Sequence, residues 1–174
     1  MHSSIRRQLF KDLILSKHHA PGPSSLVVVL DHLKPTFNVG KIIRTANGLG
    51  VREVHLVGIP VFHPGPSRGA LRHTRTCQFE TFRESYDCLV AQGYELLALV
   101  PGAPQTLGEF EFPEKTAIIV GHEEFGIGFS LAEYPRVRAL SIPQHGVVQS
   151  LNASIAMALA SYEYLRQYPV VASV

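Results

Sequence analysis

The chain has 174 residues, of which 45% are hydrophobic and 17% are charged, and its formal net charge is +2. This composition supplies enough apolar side chains for the core of one domain and excludes a disordered chain. The mild positive charge is compatible with an RNA partner without requiring one. Two cysteines, Cys77 and Cys88, are too few for a disulfide framework. Their spacing matches no metal motif, so we expect no bound metal.

Targeting and membrane segments are not indicated. No apolar run approaches the roughly 20 residues that a membrane-spanning helix needs. Residues 1–15 carry charges throughout and lack the long apolar core of a secretion signal. We therefore expect a cytoplasmic protein that does not associate with membranes.

Apolar patterns along the chain predict strands that alternate with helices. A basic N-terminal helix is expected within residues 1–22, where apolar residues recur at helical spacing. Further helices are expected at 38–48, at 85–93 and from near Ser150 onward. Continuous apolar runs, typical of strands buried on both faces, predict strands at 26–30, 53–58, 95–100, 116–121 and 137–142. The alternation indicates one α/β domain over 1–174, with a mostly parallel sheet and helices on both faces.

Three local features refine this prediction. Asn38 is expected to cap the helix that follows the first strand. Residues 59–76, rich in proline, glycine and basic side chains, are expected to form one long loop. The last helix is expected to bury one apolar face, made of Leu151, Ile155, Leu159, Tyr162 and Leu165.

Glycine or proline follows each of the three strands in the C-terminal half: PGAP at 101–104, GHEEFGIG at 121–128 and PQHGVVQS at 143–150. Ligands of parallel α/β sheets bind beyond the carboxyl ends of the strands, and glycine lets backbone approach a ligand. Each loop alone is better explained as a turn, but three together favour a ligand site. The phosphate-binding patterns of ATPases and ordinary dinucleotide enzymes are absent. The hydrolase-like GPSRG lacks the strand that this motif needs.

Three longer segments carry a family resemblance. KPTFNVGKIIRTANGLGV (34–51) places an Asn and an Arg six residues apart in a small-residue helix. IIVGHEEFGIG (118–128) ends a strand in Gly, then continues with Glu and Gly. IPQHGVVQSLNASIAMAL (142–159) contains Ile-Pro-x-x-Gly followed by Ser-Leu-Asn-x-Ser. In this order and spacing they resemble the three motifs of the SpoU/TrmH branch of the SPOUT RNA methyltransferases, over residues 25–168. Gln144 departs from the family's usual Met, His122 from Asn and Ala153 from Val.

The resemblance implies a fold and an activity that the apolar pattern alone does not predict. The fold would be the SPOUT α/β knot, with a deep trefoil knot near the C-terminus, a feature almost absent from other proteins. The cofactor would be S-adenosylmethionine, held bent in the knotted loops. The protein would be a homodimer whose active site is completed across the interface. The reaction would be methyl transfer to a ribose 2′-hydroxyl of tRNA or rRNA.

The resemblance also assigns roles to residues. Arg44 would act at the ribose hydroxyl, either as a base or, more easily for a guanidinium with a pKa above about 12, as a phosphate clamp that stabilises negative charge. Glu123 would pair with Arg44 or a ribose hydroxyl, Asn38 would orient Arg44, and Asn152 would lie near the reacting centre. Ser150 and Ser154 would cap the last helix, and Ser150 would also contact the cofactor or the RNA. The expected cofactor contacts are Leu99, Val100, Gly121, Ile142, Gly146, Ser150 and Leu151.

RNA would meet a basic cluster in the 59–76 loop, formed by Arg68, Arg72, His73 and Arg75, while the role of the basic N-terminal helix stays open. Three alternatives remain. A related SPOUT enzyme would methylate a base nitrogen, and a non-catalytic member would bind RNA only. An unrelated nucleotide-binding α/β enzyme is disfavoured because its phosphate loop is missing.

Overall fold

In the computed structural model, which describes residues 3–170, helices cover both faces of a six-stranded sheet. The helices are α1 (Ser3–Lys17), α2 (Phe37–Gly48), α3 (Phe82–Ala91) and α4 (Ala153–Gln167). The strands are β1 (Val27–Asp31), β2 (Glu53–Val57), β3 (Thr76–Phe79), β4 (Glu95–Leu99), β5 (Thr116–Val120) and β6 (Val137–Leu140). The predicted α/β class is confirmed, and the five predicted strands are present.

All neighbouring strands are parallel, in the order β3-β2-β1-β5-β4-β6. The central strands β1 and β5 are buried at every residue, which explains their continuous runs of Val, Ile and Leu. Because all strands run the same way, their carboxyl ends share one edge of the sheet. The loops that follow β4, β5 and β6 therefore meet there.

The two faces of the sheet carry separate apolar cores. Helices α1, α2 and α4 cover one face, where Leu9, Ile42 and Met157 are fully buried. Helix α3 covers the other face and packs Phe82 and Leu89 into the second core. None of the helices within residues 3–170 combines the length and the apolar character needed to cross a membrane.

The start of α2 differs from the prediction. The helix begins at Phe37 after Thr36, and no side chain caps it, so the predicted capping by Asn38 is wrong. Asn38 lies inside the first turn, and its side-chain amide instead donates a hydrogen bond to Glu123, in the loop after β5. The local pattern assigned the Asn38 side chain to the helix end, but this side chain bonds instead to an acceptor that is distant in the sequence.

The start of α4 also differs. The helix begins at Ala153 rather than near Ser150, and Asn152 caps it. The Oδ1 atom of Asn152 accepts hydrogen bonds from the backbone N–H of Ser154 at 2.9 Å and from its hydroxyl at 2.6 Å. Ser154 supplies a donor to this cap, so neither predicted serine caps the helix.

The predicted buried face of α4 is wrong for its three central residues, whereas Leu165 does pack against the core. Ile155, Leu159 and Tyr162 are 52%, 43% and 67% exposed. The helix packs on the sheet and α2 through another face, which joins small residues to two large ones: Ala153, Ser154, Met157, Ala160, Ser161 and Tyr164. Small side chains let the helix lie close, and a pattern that looks for large apolar residues overlooks them. One apolar stripe is thus left on the surface.

The region 59–76 holds more structure than the single predicted loop. It contains short 3₁₀ helices at Gly65–Ser67 and Ala70–His73, and it leads directly into β3. Strand β3 was not predicted, because polar residues alternate along this edge strand and leave no continuous apolar run. Helix α3 starts at Phe82, earlier than predicted, since Thr81 and Glu84 form a capping box.

Candidate functional site

A hollow of about 350 Å³ lies at the carboxyl edge of the sheet, between the loops after β4, β5 and β6 and the start of α4. This volume is within the range of small-molecule sites. The hollow gathers six of the seven predicted cofactor contacts: Leu99, Val100, Gly121, Ile142, Ser150 and Leu151. Gly146, the seventh, is exposed and is not part of the lining.

The wall formed by the loop after β5 depends on two glycines. His122 and Gly126 exchange backbone hydrogen bonds of 2.7 and 2.9 Å, which close a tight turn. Gly126 has a φ of +72°, and a Cβ atom on Gly121 would lie 2.4 Å from the carbonyl oxygen of Gly126. Side chains are therefore excluded at both positions, and bare backbone faces the hollow.

Gln144 brings an unpaired polar atom to the same hollow. Its Oε1 atom is buried and has no hydrogen-bond partner among residues 3–170. Buried polar atoms are nearly always paired in folded proteins, so an unpaired one calls for a missing partner. Gln144 lines the hollow, so a rotation of its side chain would bring this unpaired acceptor to a ligand there.

A chain of hydrogen bonds joins the rim of the hollow to α2. The side-chain amide of Asn38 donates to Glu123 Oε1 at 2.8 Å, and the backbone N–H of Lys34 donates to Oε2 at 3.1 Å. The amide of Asn152 donates to Asn38 Oδ1 at 3.3 Å. Burial tends to raise the pKa of Glu123, but the hydrogen bonds from Asn38 and Lys34 outweigh it and hold the pKa below its usual range. Glu123 is therefore a hydrogen-bonded carboxylate at neutral pH.

Arg44 lies apart from this rim. It is exposed and lines a second hollow together with Arg68, Arg72 and His73, which we call the basic hollow. Six helical residues separate Arg44 from Asn38, which corresponds to about 9 Å along the axis and a rotation of about 240°. The two side chains therefore leave α2 in different directions. Within the described residues Arg44 has neither an ion pair nor a hydrogen-bond partner, so the predicted pairing with Glu123 is not formed in this chain.

The three predicted RNA-binding arginines differ in how free they are. Arg68 is exposed, with a left-handed φ of +50°. Arg72 lies 3.6 Å from the carboxylate of Asp12 on α1. Arg75 is only partly exposed and forms a 3.0 Å ion pair with Glu53, outside the basic hollow. Arg68 and Arg72 thus share a surface with Arg44, whereas Arg75 is held by a neighbouring strand.

The sequence pattern missed two contributors to this site. Lys34 acts through its backbone N–H, which leaves no trace in side-chain chemistry. Gln144 stood out as a departure from a family motif, but nothing in the sequence indicated that its oxygen is unpaired. The fold and the hollow together define a parallel α/β domain that binds a small ligand beyond the carboxyl ends of its strands.

Comparison with known proteins identifies the family. The chain belongs to the SpoU rRNA Methylase family, whose model matches residues 25–162. It is 34% identical over 149 residues to the tRNA (guanosine(18)-2′-O)-methyltransferase of Escherichia coli, covering 82% of this chain and 63% of that protein. It is 33% identical to an uncharacterized tRNA/rRNA methyltransferase of Synechocystis, covering 84% of this chain and 55% of that one.

A solved structure agrees with these matches. The SpoU methyltransferase AviRb of Streptomyces viridochromogenes, in complex with AdoMet, is 25% identical and superposes with a TM-score of 0.73 over 87% of this chain and 60% of AviRb. The chain spans about half to two thirds of the length of the curated relatives described here. The shared region thus contains the whole sheet and both hollows.

Proposed function

We propose that this chain transfers a methyl group from S-adenosylmethionine to a ribose 2′-hydroxyl of tRNA or rRNA, and that it does so as a homodimer. The observation that carries the proposal is the ligand-sized hollow whose rim holds the linked carboxamide and carboxylate groups of Asn38, Glu123 and Asn152. The family match and the names of the relatives support the same activity. We also propose a cytoplasmic location, because those names specify tRNA and rRNA.

The hollow fits S-adenosylmethionine in three respects. Its volume of about 350 Å³ suits a small ligand. Leu99, Ile142 and Leu151 supply apolar walls on which an adenine ring can pack. The unpaired oxygen of Gln144 matches the exocyclic amino group of adenine, a hydrogen-bond donor. When bound, this cofactor supplies an electrophilic methyl group on a sulfonium sulfur.

The rim residues position the ribose rather than deprotonate it. In the transfer the 2′-oxygen would gain a bond to the methyl carbon as the carbon–sulfur bond is lost, and the hydroxyl proton would pass to solvent water. Glu123 has a lowered pKa and is therefore a weak base. It suits the role of an acceptor that orients a ribose hydroxyl, and orientation is a large part of catalysis in such a displacement. Asn38 keeps the carboxylate in place through its 2.8 Å hydrogen bond.

Arg44 supplies positive charge in this proposal. Its guanidinium clamps a phosphate and stabilises the negative charge that develops on the 2′-oxygen. Arg68 and Arg72 in the same basic hollow extend the phosphate-binding surface. Because Arg44 lies apart from the rim of its own chain, we propose that it reaches the rim of a second copy.

The exposed apolar stripe of α4 supports a homodimer. Ile155, Leu159 and Tyr162 lie at positions i, i+4 and i+7 of the helix and remain 43% to 67% exposed. Val147 and Val148, just before the helix, are also exposed. Contiguous exposed apolar surface marks interaction sites. A second copy that covers this stripe would lie beside the start of α4, which also contributes to the hollow.

Methylation of RNA in vitro tests the proposed function. The purified protein is incubated with S-adenosylmethionine and with tRNA and rRNA from cells that lack it. The RNA is then digested and the nucleosides are identified by mass spectrometry. We expect one 2′-O-methylated nucleoside that is absent from a reaction without cofactor. A base-methylated product would indicate the related base-nitrogen chemistry. Cofactor binding by calorimetry without any product from either RNA class would contradict catalysis.

A further inference from the structure

We propose that Glu53, His55 and Cys77 form a binding site for a transition-metal ion of the Zn²⁺ type, on the sheet face that α3 covers and apart from the hollow at the carboxyl edge. One ligand atom from each side chain lies within 4.8 Å of the others. Glu53 and His55 are buried, and Cys77 is partly buried. This proposal is independent of the methyltransferase function.

Strand pairing brings the three side chains together. His55 on β2 and Cys77 on β3 are register partners in the parallel ladder, so their side chains lie next to each other on one face. Glu53 precedes His55 by two residues and therefore points to the same face. Helix α3 covers this face. Cys77 follows His55 by 22 residues and Glu53 by 24, and this separation hides the group from any search for motif spacing.

The donor set suits zinc. Histidine nitrogen, cysteine sulfur and carboxylate oxygen are the three ligand types that protein-bound Zn²⁺ uses, at about 2.0 to 2.3 Å in tetrahedral geometry. His55 Nε2 lies 3.1 Å from Glu53 Oε1, a separation close to that of two ligands on one zinc ion. Three protein ligands leave a fourth position for water. Cys77, on the edge strand, offers a path from solvent.

Two neighbouring residues hold the ligands in orientation. His55 Nδ1 is 2.8 Å from the hydroxyl of Ser85 on α3. Metal-binding histidines commonly donate their second N–H to such a partner, which leaves the other nitrogen free to bind the ion. Arg75 pairs with Glu53 Oε2 at 3.0 Å and leaves Oε1 on the side of His55. The Ser–His–Glu series does not support hydrolase chemistry, because Ser85 is fully buried and cannot meet a substrate.

Such an ion would fasten the edge of the sheet. It would tie β3 to β2 and, through Ser85, to α3. Strand β3 begins only three residues after the Ala70–His73 turn, which contributes Arg72 and His73 to the basic hollow. A metal at this position would therefore stabilise the segment that presents the basic hollow, without contact with the reacting groups.

Spectroscopic titration of the full chain with Co²⁺ tests the site. After treatment with a chelator, the protein is titrated with Co²⁺ and then with Zn²⁺. We expect one equivalent of Co²⁺ to produce a thiolate-to-cobalt charge-transfer band, which Zn²⁺ then abolishes. Cys77→Ser should lose the band, whereas Cys88→Ser, at the other partly exposed cysteine, should keep it. Ser85→Ala should weaken metal affinity by about 10- to 100-fold.

Each result of these titrations either supports the metal site or overturns it. Circular dichroism shows whether Cys77→Ser is folded, and the titration of Ser85→Ala provides a second variant that leaves all three ligands in place. If Co²⁺ binds without the charge-transfer band, histidines or carboxylates elsewhere hold the metal, and if Cys77→Ser keeps the band, the thiolate of Cys88 holds it. Either result shows that the proposal is wrong. The absence of binding to the wild-type protein at stoichiometric Co²⁺ overturns it as well.

Discussion

The side-chain amide of Asn38 donates a 2.8 Å hydrogen bond to the carboxylate of Glu123, across 85 residues of sequence. The same side chain accepts a hydrogen bond from Asn152 through its Oδ1 atom. One amide thus joins the first turn of α2 to the loop after β5 and to the cap of α4. These three segments are the ones that carry the family motifs, so their mutual position depends on this residue.

Removal of the Asn38 amide should change how stability depends on pH. In the wild-type protein the pKa of Glu123 is lowered by folding. Its contribution to the free energy of unfolding is therefore fully present above the pKa of the unfolded chain, about 4.3, and is lost as pH falls through the lower folded value. In Asn38→Ala this loss should be smaller. Urea unfolding at several values between about pH 3 and pH 6 measures how the free energy of unfolding of the two proteins depends on pH.

Asn47→Ala provides the matched control for that experiment. Asn47 is on the same helix, and its amide donates to the backbone carbonyl of His73 rather than to a carboxylate. The Asn47→Ala variant should lower the free energy of unfolding by a similar amount at every pH in the range. If Asn38→Ala also shifts stability uniformly with pH, the hydrogen bond to Glu123 does not set the pKa of that group.

Gln144→Leu should weaken the binding of S-adenosylmethionine. Leucine keeps the approximate size of the side chain but removes the unpaired oxygen at the hollow. Loss of one neutral hydrogen bond costs about 0.5–1.5 kcal/mol, which corresponds to roughly a two- to tenfold higher Kd. Calorimetry measures this change. Gln92→Leu, beyond the end of α3 and outside the hollow, should bind as the wild type does. Equal affinity in both variants would show that the oxygen serves no ligand.

Much of the fold could be predicted from the sequence, because buried parallel strands leave continuous apolar runs. Strand β3 could not, since Thr76 and Gln78 break its pattern on an edge strand with one solvated side. The stripe of α4 was assigned to the core because its residues are large and apolar. The helix instead packs through Ala153 and Ala160, whose small size gives no such signal. The predicted trefoil knot stays a prediction.

The site was predicted in parts. Backbone loops after strands could be located from glycine and proline, and Gly121 and Ile142 indeed line the hollow. Which polar groups meet depends on long-range packing. The local pattern therefore indicated that Asn38 caps a helix, although its partner is Glu123. It likewise indicated that Arg75 is a free cation, although its partner is Glu53. Distant acceptors of this kind leave no mark in a local pattern.

Replacement of Arg68 should reduce the salt dependence of RNA binding. Arg68 is exposed in the basic hollow and has a φ of +50°, so Arg68→Gly removes the charge without adding strain. Each lost phosphate contact should lower the slope of log affinity against log salt by about 0.7 to 0.9. Filter binding of tRNA at several salt concentrations measures the slope. Arg83→Ala, on α3, should leave it unchanged. An equal change in both variants would indicate that RNA senses only the net charge.

Leu159→Glu should convert the proposed dimer to a monomer. Leu159 is 43% exposed in the centre of the apolar stripe, so a carboxylate there is solvated in the monomer but buried without a partner in the dimer. Light scattering coupled to size exclusion measures the mass. Glu163, on the same helix, is already charged and paired with Arg166, and Glu163→Gln serves as the control. A wild-type protein that is monomeric at the highest concentration tested would contradict the homodimer.

Mixed dimers test whether Arg44 and Glu123 act on one active site from different chains. Arg44→Ala and Glu123→Ala should each reduce methyl transfer by about 10²-fold or more, because the first removes a group that stabilises developing charge and the second removes a group that orients the ribose hydroxyl. Co-expression of the two variants produces dimers in which one site has both side chains. With random pairing in a symmetric dimer, activity should recover to about a quarter of the wild-type value.

The decisive control distributes the same side chains differently. A dimer of the wild-type chain with the double variant Arg44→Ala/Glu123→Ala also has one Arg44 and one Glu123, but both are on the same chain. If each active site combines Arg44 of one copy with Glu123 of the other, neither site of this dimer is complete, and the isolated mixed dimer should be inactive. If one chain supplies both residues, this control keeps half of the activity and the co-expressed single variants recover none. The two arrangements therefore give opposite results.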